Sequence, residues 1–181
     1  KDYSSHNQLI SIEKVGNKIY AASNIGLVIF NLSENTIDYL TKIEALSEIG
    51  LNTIKYSNET GNLIVGYKSG NLDVIKGNKT TNLSDIKNSS IVGDKTIYNV
   101  YTKENLAYIS TGFGIVVMDL TKLEIKDTYI FGPSGTYLKV NDVIIKSDTI
   151  YATTNDGIYK PYEKSNSLND YREWSQITNI P

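Results

Sequence analysis

Ile19-Tyr20-Ala21-Ala22-Ser23-Asn24-Ile25-Gly26-Leu27-Val28 decides the fold, because its pattern returns three times. A short apolar run leads into a polar turn, and a Gly closes the turn before a second apolar run. That Gly recurs as Gly70, Gly114 and Gly157, at spacings of 44, 44 and 43 residues. Seven residues before each lies an apolar residue: Ile19, Leu63, Ala107 and Ile150. Fourteen before lie Ile12, Tyr56, Val100 and Val143, and two after come Val28, Leu72, Val116 and Tyr159. Three columns hold one register over four units, which is the mark of a repeat architecture.

Each unit reads as four short strands. In the first they are placed at Leu9–Val15, Lys18–Ala22, Gly26–Asn31 and Thr36–Leu40. Gly16-Asn17, Gly61-Asn62 and Glu104-Asn105 join first strands to second strands. Asn24-Ile25-Gly26, Lys68-Ser69-Gly70, Gly112-Phe113-Gly114 and Asn155-Asp156-Gly157 join second to third, with Gly expected to supply a positive φ. Ile10 and Ile12 alternate with Leu9, Ser11 and Glu13, a period-2 pattern, while Ile115-Val116-Val117-Met118 reads as a strand buried on both faces. The composition agrees: 24 Ile, 14 Tyr and 16 Thr suit strands, and 19 Asn with 13 Gly suit turns.

Four strands in a unit of about 44 residues is the signature of a β-propeller blade. A β-solenoid coil is usually shorter, and a β-sandwich need not repeat. The fold class is therefore all-β, with residues 1–181 forming a single propeller segment and blades at approximately 9–49, 50–93, 94–137 and 138–178. Four blades are the lower limit for a closed propeller, so an incomplete arc of a larger one is expected. The fourth unit is irregular: Pro161 cannot donate to a ladder, and the polar stretch from Glu163 to Asp170 delays the last strand to about Arg172–Gln176.

Composition removes several functions. The charge is nearly balanced, with 18 basic and 20 acidic residues, which argues against nucleic acid as a partner. Arg172 is the one Arg, so bidentate anion recognition is scarce. No apolar run reaches the length of a transmembrane helix. The chain begins at Lys1, which reads as a processed or trimmed start and leaves export open. With no Cys there is no disulfide, thiolate site or Cys nucleophile. The single His, His6, lies before the first strand, so a Ser-His-Asp triad or His-based metal site would have to be built on a tail. Gly132-Pro133-Ser134-Gly135 lacks the spacing of a nucleophile elbow and reads as an interblade loop. Gly112-x-Gly114 is a hairpin turn with no helix behind it to hold a phosphate. Asp73 and Asp119 do not share a column and are read as surface or strand-end residues. No catalytic residue, metal ligand or cofactor is expected, and the chain is read as a non-enzyme.

Binding is expected instead on loops that a rigid scaffold presents. The hairpin tips should gather on one propeller face, which makes Asn24, Lys68, Ser69, Phe113, Asn155 and Asp156 the candidate ligand- or partner-binding residues. Phe113 also reads as packing against the next blade.

Three stretches carry a family resemblance: Lys1-Asp2-Tyr3-Ser4-Ser5 through Lys18-Ile19-Tyr20-Ala21-Ala22-Ser23; Tyr108-Ile109-Ser110-Thr111-Gly112-Phe113-Gly114-Ile115-Val116-Val117-Met118-Asp119-Leu120 with Asp127-Thr128-Tyr129-Ile130-Phe131-Gly132; and Asn155-Asp156-Gly157-Ile158-Tyr159-Lys160. They resemble the N-terminal propeller of PorZ-like proteins, components of the type IX secretion system of Bacteroidetes. The resemblance implies an exported protein at the outer-membrane exterior, with two propellers and a C-terminal sorting domain. It implies membership of a cell-surface attachment complex with a sortase, and handling of anionic lipopolysaccharide. The blades are also similar to sensor propellers of hybrid two-component regulators, which implies extracellular glycan sensing as the alternative. Those blades typically carry a Trp where this chain has Tyr20, Ile64, Tyr108 and Tyr151.

Overall fold

The computed structural model describes residues 8–162, 165 and 167–178. His6 and the opening Lys1–Ser5 stretch lie outside the described residues, as do Glu163, Lys164 and Asn166 of the polar stretch.

The described chain is four antiparallel sheets of four strands, each a simple meander in sequence order. Blade 1 is β1 (Leu9–Val15), β2 (Lys18–Ser23), β3 (Gly26–Asn31) and β4 (Thr36–Thr41). Blade 2 is β5 (Leu51–Ser57), β6 (Asn62–Tyr67), β7 (Leu72–Lys76) and β8 (Lys79–Leu83), followed by the one-turn helix α1 (Asp85–Asn88). Blade 3 is β9 (Ile97–Lys103), β10 (Leu106–Thr111), β11 (Gly114–Asp119) and β12 (Glu124–Tyr129). Blade 4 is β13 (Val140–Lys146), β14 (Thr149–Thr154), β15 (Gly157–Pro161) and β16 (Trp174–Gln176). Arg172, expected in the last strand, sits in a short 3-10 turn at Tyr171–Glu173 instead. Its place there is fixed by Asp170, which accepts from the Arg172 backbone and guanidinium.

No blade buries both faces alone, so the core lies between blades. One cluster, with Leu27, Leu51, Ile54 and Tyr67, joins blades 1 and 2. A second, with Leu72, Val100, Ile109, Phe113 and Val116, joins blades 2 and 3. A third, with Ile115, Val117, Phe131, Val143 and Trp174, joins blades 3 and 4. Successive residues of β11 enter different clusters, Val116 and Met118 one, Ile115 and Val117 the other. This is the burial on both faces that its apolar run predicts. Phe131 stacks on Trp174 with ring centroids 4.1 Å apart, anchoring the short β16.

The inner strands β1, β5, β9 and β13 lie side by side, and side chains of one blade cap the free backbone edge of the next. Ser11 Oγ donates to the Ile54 carbonyl and accepts from the Ile54 amide, and Asn52 Nδ2 donates to Ile97 O at 2.8 Å. Lys55 pairs with Glu13 at 2.9 Å and Lys103 with Asp148 at 2.6 Å.

The outer faces of blades 1 and 4 have no blade against them among the described residues. Ile12, Ile37 and Tyr39 on blade 1 are more than half exposed, as is Ile144 on blade 4. The alternation in β1 is therefore real, but Ile10 and Ile12 point to the open side while Ser11 and Glu13 face blade 2.

The repeat register holds in three blades and slips in one. Leu27 pairs with Ala22, Ile115 with Ser110 and Ile158 with Thr153, each partner one residue beyond its column Gly. In blade 2, Leu72, two beyond Gly70, pairs with Gly66. The tip carries one extra residue, Asn71. The rung held by Val28, Val116 and Tyr159 elsewhere is thus held in blade 2 by Asp73, opposite Val65, and not by Leu72. The expectation of a surface Asp73 is overturned, because it is fully buried, although it stands second in β7, next to the strand end. The Gly column has a second reason besides φ. Gly26 does not adopt a positive φ; a Cβ there would sit 2.6 Å from Leu40 O, so the site requires close approach of β4.

Candidate functional site

Every β4-type strand runs back to the end where the next inner strand begins. The interblade linkers therefore share one side of the arc with the β2–β3, β6–β7, β10–β11 and β14–β15 hairpin tips. The links between them are explicit. Gly50 of the first linker donates to Asn24 O at 2.6 Å, and Lys68 donates to Gly50 O at 2.9 Å. Thr96 Oγ1, before β9, donates to Lys68 O at 3.0 Å. Asn141 Nδ2 donates to Asn155 Oδ1 at 3.2 Å.

Five of the six expected residues stand at this surface. Asn24, Lys68, Asn155 and Asp156 are exposed and Ser69 is half-buried. Ser69 Oγ donates to Glu48, and Asp156 O accepts from Gln176 Nε2. Phe113 is 1% exposed and belongs to the core between blades 2 and 3, with Tyr137 edge-on to it at 6.3 Å. Its ring is closed to a ligand in this arrangement.

Three tips are built alike. Ser23, Thr111 and Thr154 each accept from the amide two residues on and donate to the carbonyl of the column Gly. These hydroxyl turns fix the hairpin locally. Blade 2 has Tyr67 in that column. Its phenol donates to Asp73 Oδ2 at 2.5 Å. Asp73 accepts three more bonds: from Ser47 N at 2.8 Å, Ser47 Oγ at 2.6 Å and Asn82 Nδ2 at 3.0 Å. A buried carboxylate requires such saturation, because an unpaired one costs several kcal/mol. Burial first, then the bond to Asp73 and its charge, push the Tyr67 phenol upward, so it remains a donor. Glu48 extends the network on the surface, accepting from Ser69 Oγ and from Lys87 Nζ at 3.1 Å. Linker, tip and α1 are thereby joined at blade 2. This group was missed in the sequence, although one sign was present: Tyr67 breaks a column of Ser and Thr.

A second polar group lies between blades 3 and 4. Tyr98 donates to Asp94 at 2.5 Å, and Lys139 Nζ stands 3.8 Å from the centre of the Tyr98 ring. Burial opposes the Asp94 charge. Bonds from Tyr98 and Thr96, with the nearby Lys139 charge, outweigh it and hold the carboxyl below its usual range. A third feature, an open cleft of about 710 Å³, lies against Asp127, Asp170 and Arg172. Asp170 takes both Nε and Nη2 of Arg172, so that guanidinium is already engaged. No group of three His, Cys, Asp or Glu suited to a metal ion occurs among the described residues. No described helix is long and apolar enough to cross a membrane.

Serially capped blades with linkers and tips on one side define a β-propeller module that presents loops from a rigid scaffold. The family model described as the N-terminal β-propeller domain of PorZ of the type IX secretion system matches residues 6–175. The chain belongs to that family. Among solved structures it is similar to PorZ of Porphyromonas gingivalis, an essential bacterial surface component of the type IX secretion system. The identity is 25%, the TM-score 0.83, and the match covers 98% of this chain and 23% of that one. It is also similar in fold to two extracellular domains from B. thetaiotaomicron. One is assigned to a one-component system, BT4673, at 16% identity and TM-score 0.74, covering 96% of this chain and 24% of that one. The other is assigned to a hybrid two-component system, BT3049, at 13% identity and TM-score 0.73, covering 97% and 25%. No curated protein matches. The chain spans about a quarter of the length of these solved structures.

Proposed function

We propose that the chain is a non-enzymatic scaffold and binding module of a type IX secretion attachment complex. In this reading it acts at the cell surface, on the outer-membrane exterior, and assists delivery of anionic lipopolysaccharide to the sortase. The observation that carries the reading is the family match over residues 6–175, together with the similarity to a surface component of that system. The architecture supports it, because capped inner strands and interblade cores make a rigid frame for exposed loops. The partner-facing side is assigned to the tips, with Asn24, Lys68, Ser69, Asn155 and Asp156 as its outward residues. The likeness to regulator domains is one of fold, so glycan sensing stands as the competing outcome of the test.

The test is recovery of the tagged full-length protein from solubilised outer membranes. Bound proteins are identified by mass spectrometry and lipopolysaccharide by staining. A sortase and its partners recovered with lipopolysaccharide is the expected result. Recovery of neither, with a transmembrane segment and kinase on the same polypeptide, overturns it in favour of the sensor.

A further inference from the structure

We propose that two copies of this chain join head to tail, with the open face of blade 4 of one copy seating the open face of blade 1 of the other. The three interblade cores are built to one plan. Toward the following blade each sheet turns the same two rungs: Tyr20 and Leu27 in blade 1, Ile64 and Leu72 in blade 2, Tyr108 and Ile115 in blade 3. In blade 4 those rungs hold Tyr151 and Ile158. With Ile144 and Ile177 they line an apolar hollow of about 210 Å³ on the open face. Ile144, opposite Tyr151, is 54% exposed. Tyr101 holds its rung in blade 3, opposite Tyr108, and packs into the core between blades 3 and 4.

The other face repeats as well. Toward the preceding blade the rungs are Ile54 and Val65 in blade 2, Val100 and Ile109 in blade 3, and Val143 and Ala152 in blade 4. Blade 1 carries Ile12 and Ala21 there, and Ile12 is 67% exposed. The two open faces are thus the unlike halves of an interface that the chain already forms three times. This repetition selects the occupant. A second copy brings the missing half to each side, whereas two blade 4 faces set against each other would pair like with like, a contact with no counterpart among the three. Such a head-to-tail contact is heterologous, and a two-fold axis closes two of them into a ring. Two chains of four blades each make eight, and propellers hold about four to eight. Both joints take apolar surface out of water.

The experiment is sedimentation equilibrium of the 181-residue chain and of the full-length protein. Each is expected to reach twice the mass of one copy by about 100 μM and to stop there. Ile12→Asp and Ile144→Asp should each leave a single copy, while Val92→Asp, in the linker between blades 2 and 3, should change nothing. Ile12 and Ile144 are more than half exposed, so both variants are expected to fold. Unchanged amide NMR shifts in blades 2 and 3 check it. The decisive sample is an equal mixture of the two variants. One joint then has Ile12 against an unaltered blade 4, so association should return, at least about a hundredfold weaker than in the unaltered chain because only one joint closes. A single-copy mass of the 181-residue chain at about 1 mM overturns the proposal. So does a mass that keeps growing with concentration, which is the mark of a contact that does not close. Loss of the dimer in Ile144→Asp but not in Ile12→Asp overturns it in favour of like faces, as does a mixture that stays apart. A dimer of the 181-residue chain with a single-copy full-length protein overturns it in favour of blades of the same polypeptide.

Discussion

In blade 3 the hairpin tip is closed by Thr111, and the ring at its apex, Phe113, turns into the core. In blade 2 the same column holds Tyr67, the tip is one residue longer, and the interior rung is a carboxylate. The first tip is held by two local hydroxyl bonds and apolar packing. The second is held by a buried charge that reaches out to Ser47 of the preceding linker. A repeat can therefore keep its backbone plan while exchanging what fastens it. The exchange changes what the surface offers: blade 3 withdraws its apex residue, and blade 2 projects Lys68 from a clamped main chain.

The comparison breaks most sharply at Asp73. Asp73→Val, which copies the rung of blade 3, should destabilise the chain by about 4 kcal/mol in urea unfolding, because it strands buried donors. Adding Tyr67→Thr should recover part of that loss, with a coupling of about 2 kcal/mol in a double-mutant cycle. Zero coupling would mean the phenol and carboxylate act independently. Phe113→Ala should follow at about 3 kcal/mol, the cost of a cavity between blades 2 and 3. Thr111→Val should cost about 1 kcal/mol, since it removes two hydrogen bonds but keeps the volume.

How much of this was legible depended on what each residue answers to. Strand positions answer to the ladder, so the four strands of blade 1 could be placed in sequence to within a residue at their ends. The Gly column was also visible, but its cause at Gly26 was not, because the clash with Leu40 O belongs to the neighbouring strand. The slip in blade 2 was hidden because Leu72 is apolar, like its supposed column mates. Asp73 looked like surface because its donors come from 26 and six residues upstream and nine downstream. Tyr67, Ser47 and Asp73 carry no motif, and only the fold brings them together.

The smallest effect concerns pH. The Thr121 side chain first, then the Lys122 and Thr121 amides, pull the Asp119 carboxyl down to about 2. Its unfolded value is near 3.9. The β11–β12 turn should therefore keep this stabilisation above about pH 4 and lose it as pH falls through about 2. Carboxyl carbon shifts of Asp119 measure it. A midpoint near 4 would show the turn bonds to be weak in solution.

The Asp73 network orders the tip of blade 2 before any partner arrives. Amide hydrogen exchange on the free chain tests it directly. The amides of Ser47, Gly50 and Lys68 should exchange at least about a hundredfold more slowly than that of Asn155 at the tip of blade 4. Exchange of all four at the same fast rate would contradict a preformed platform.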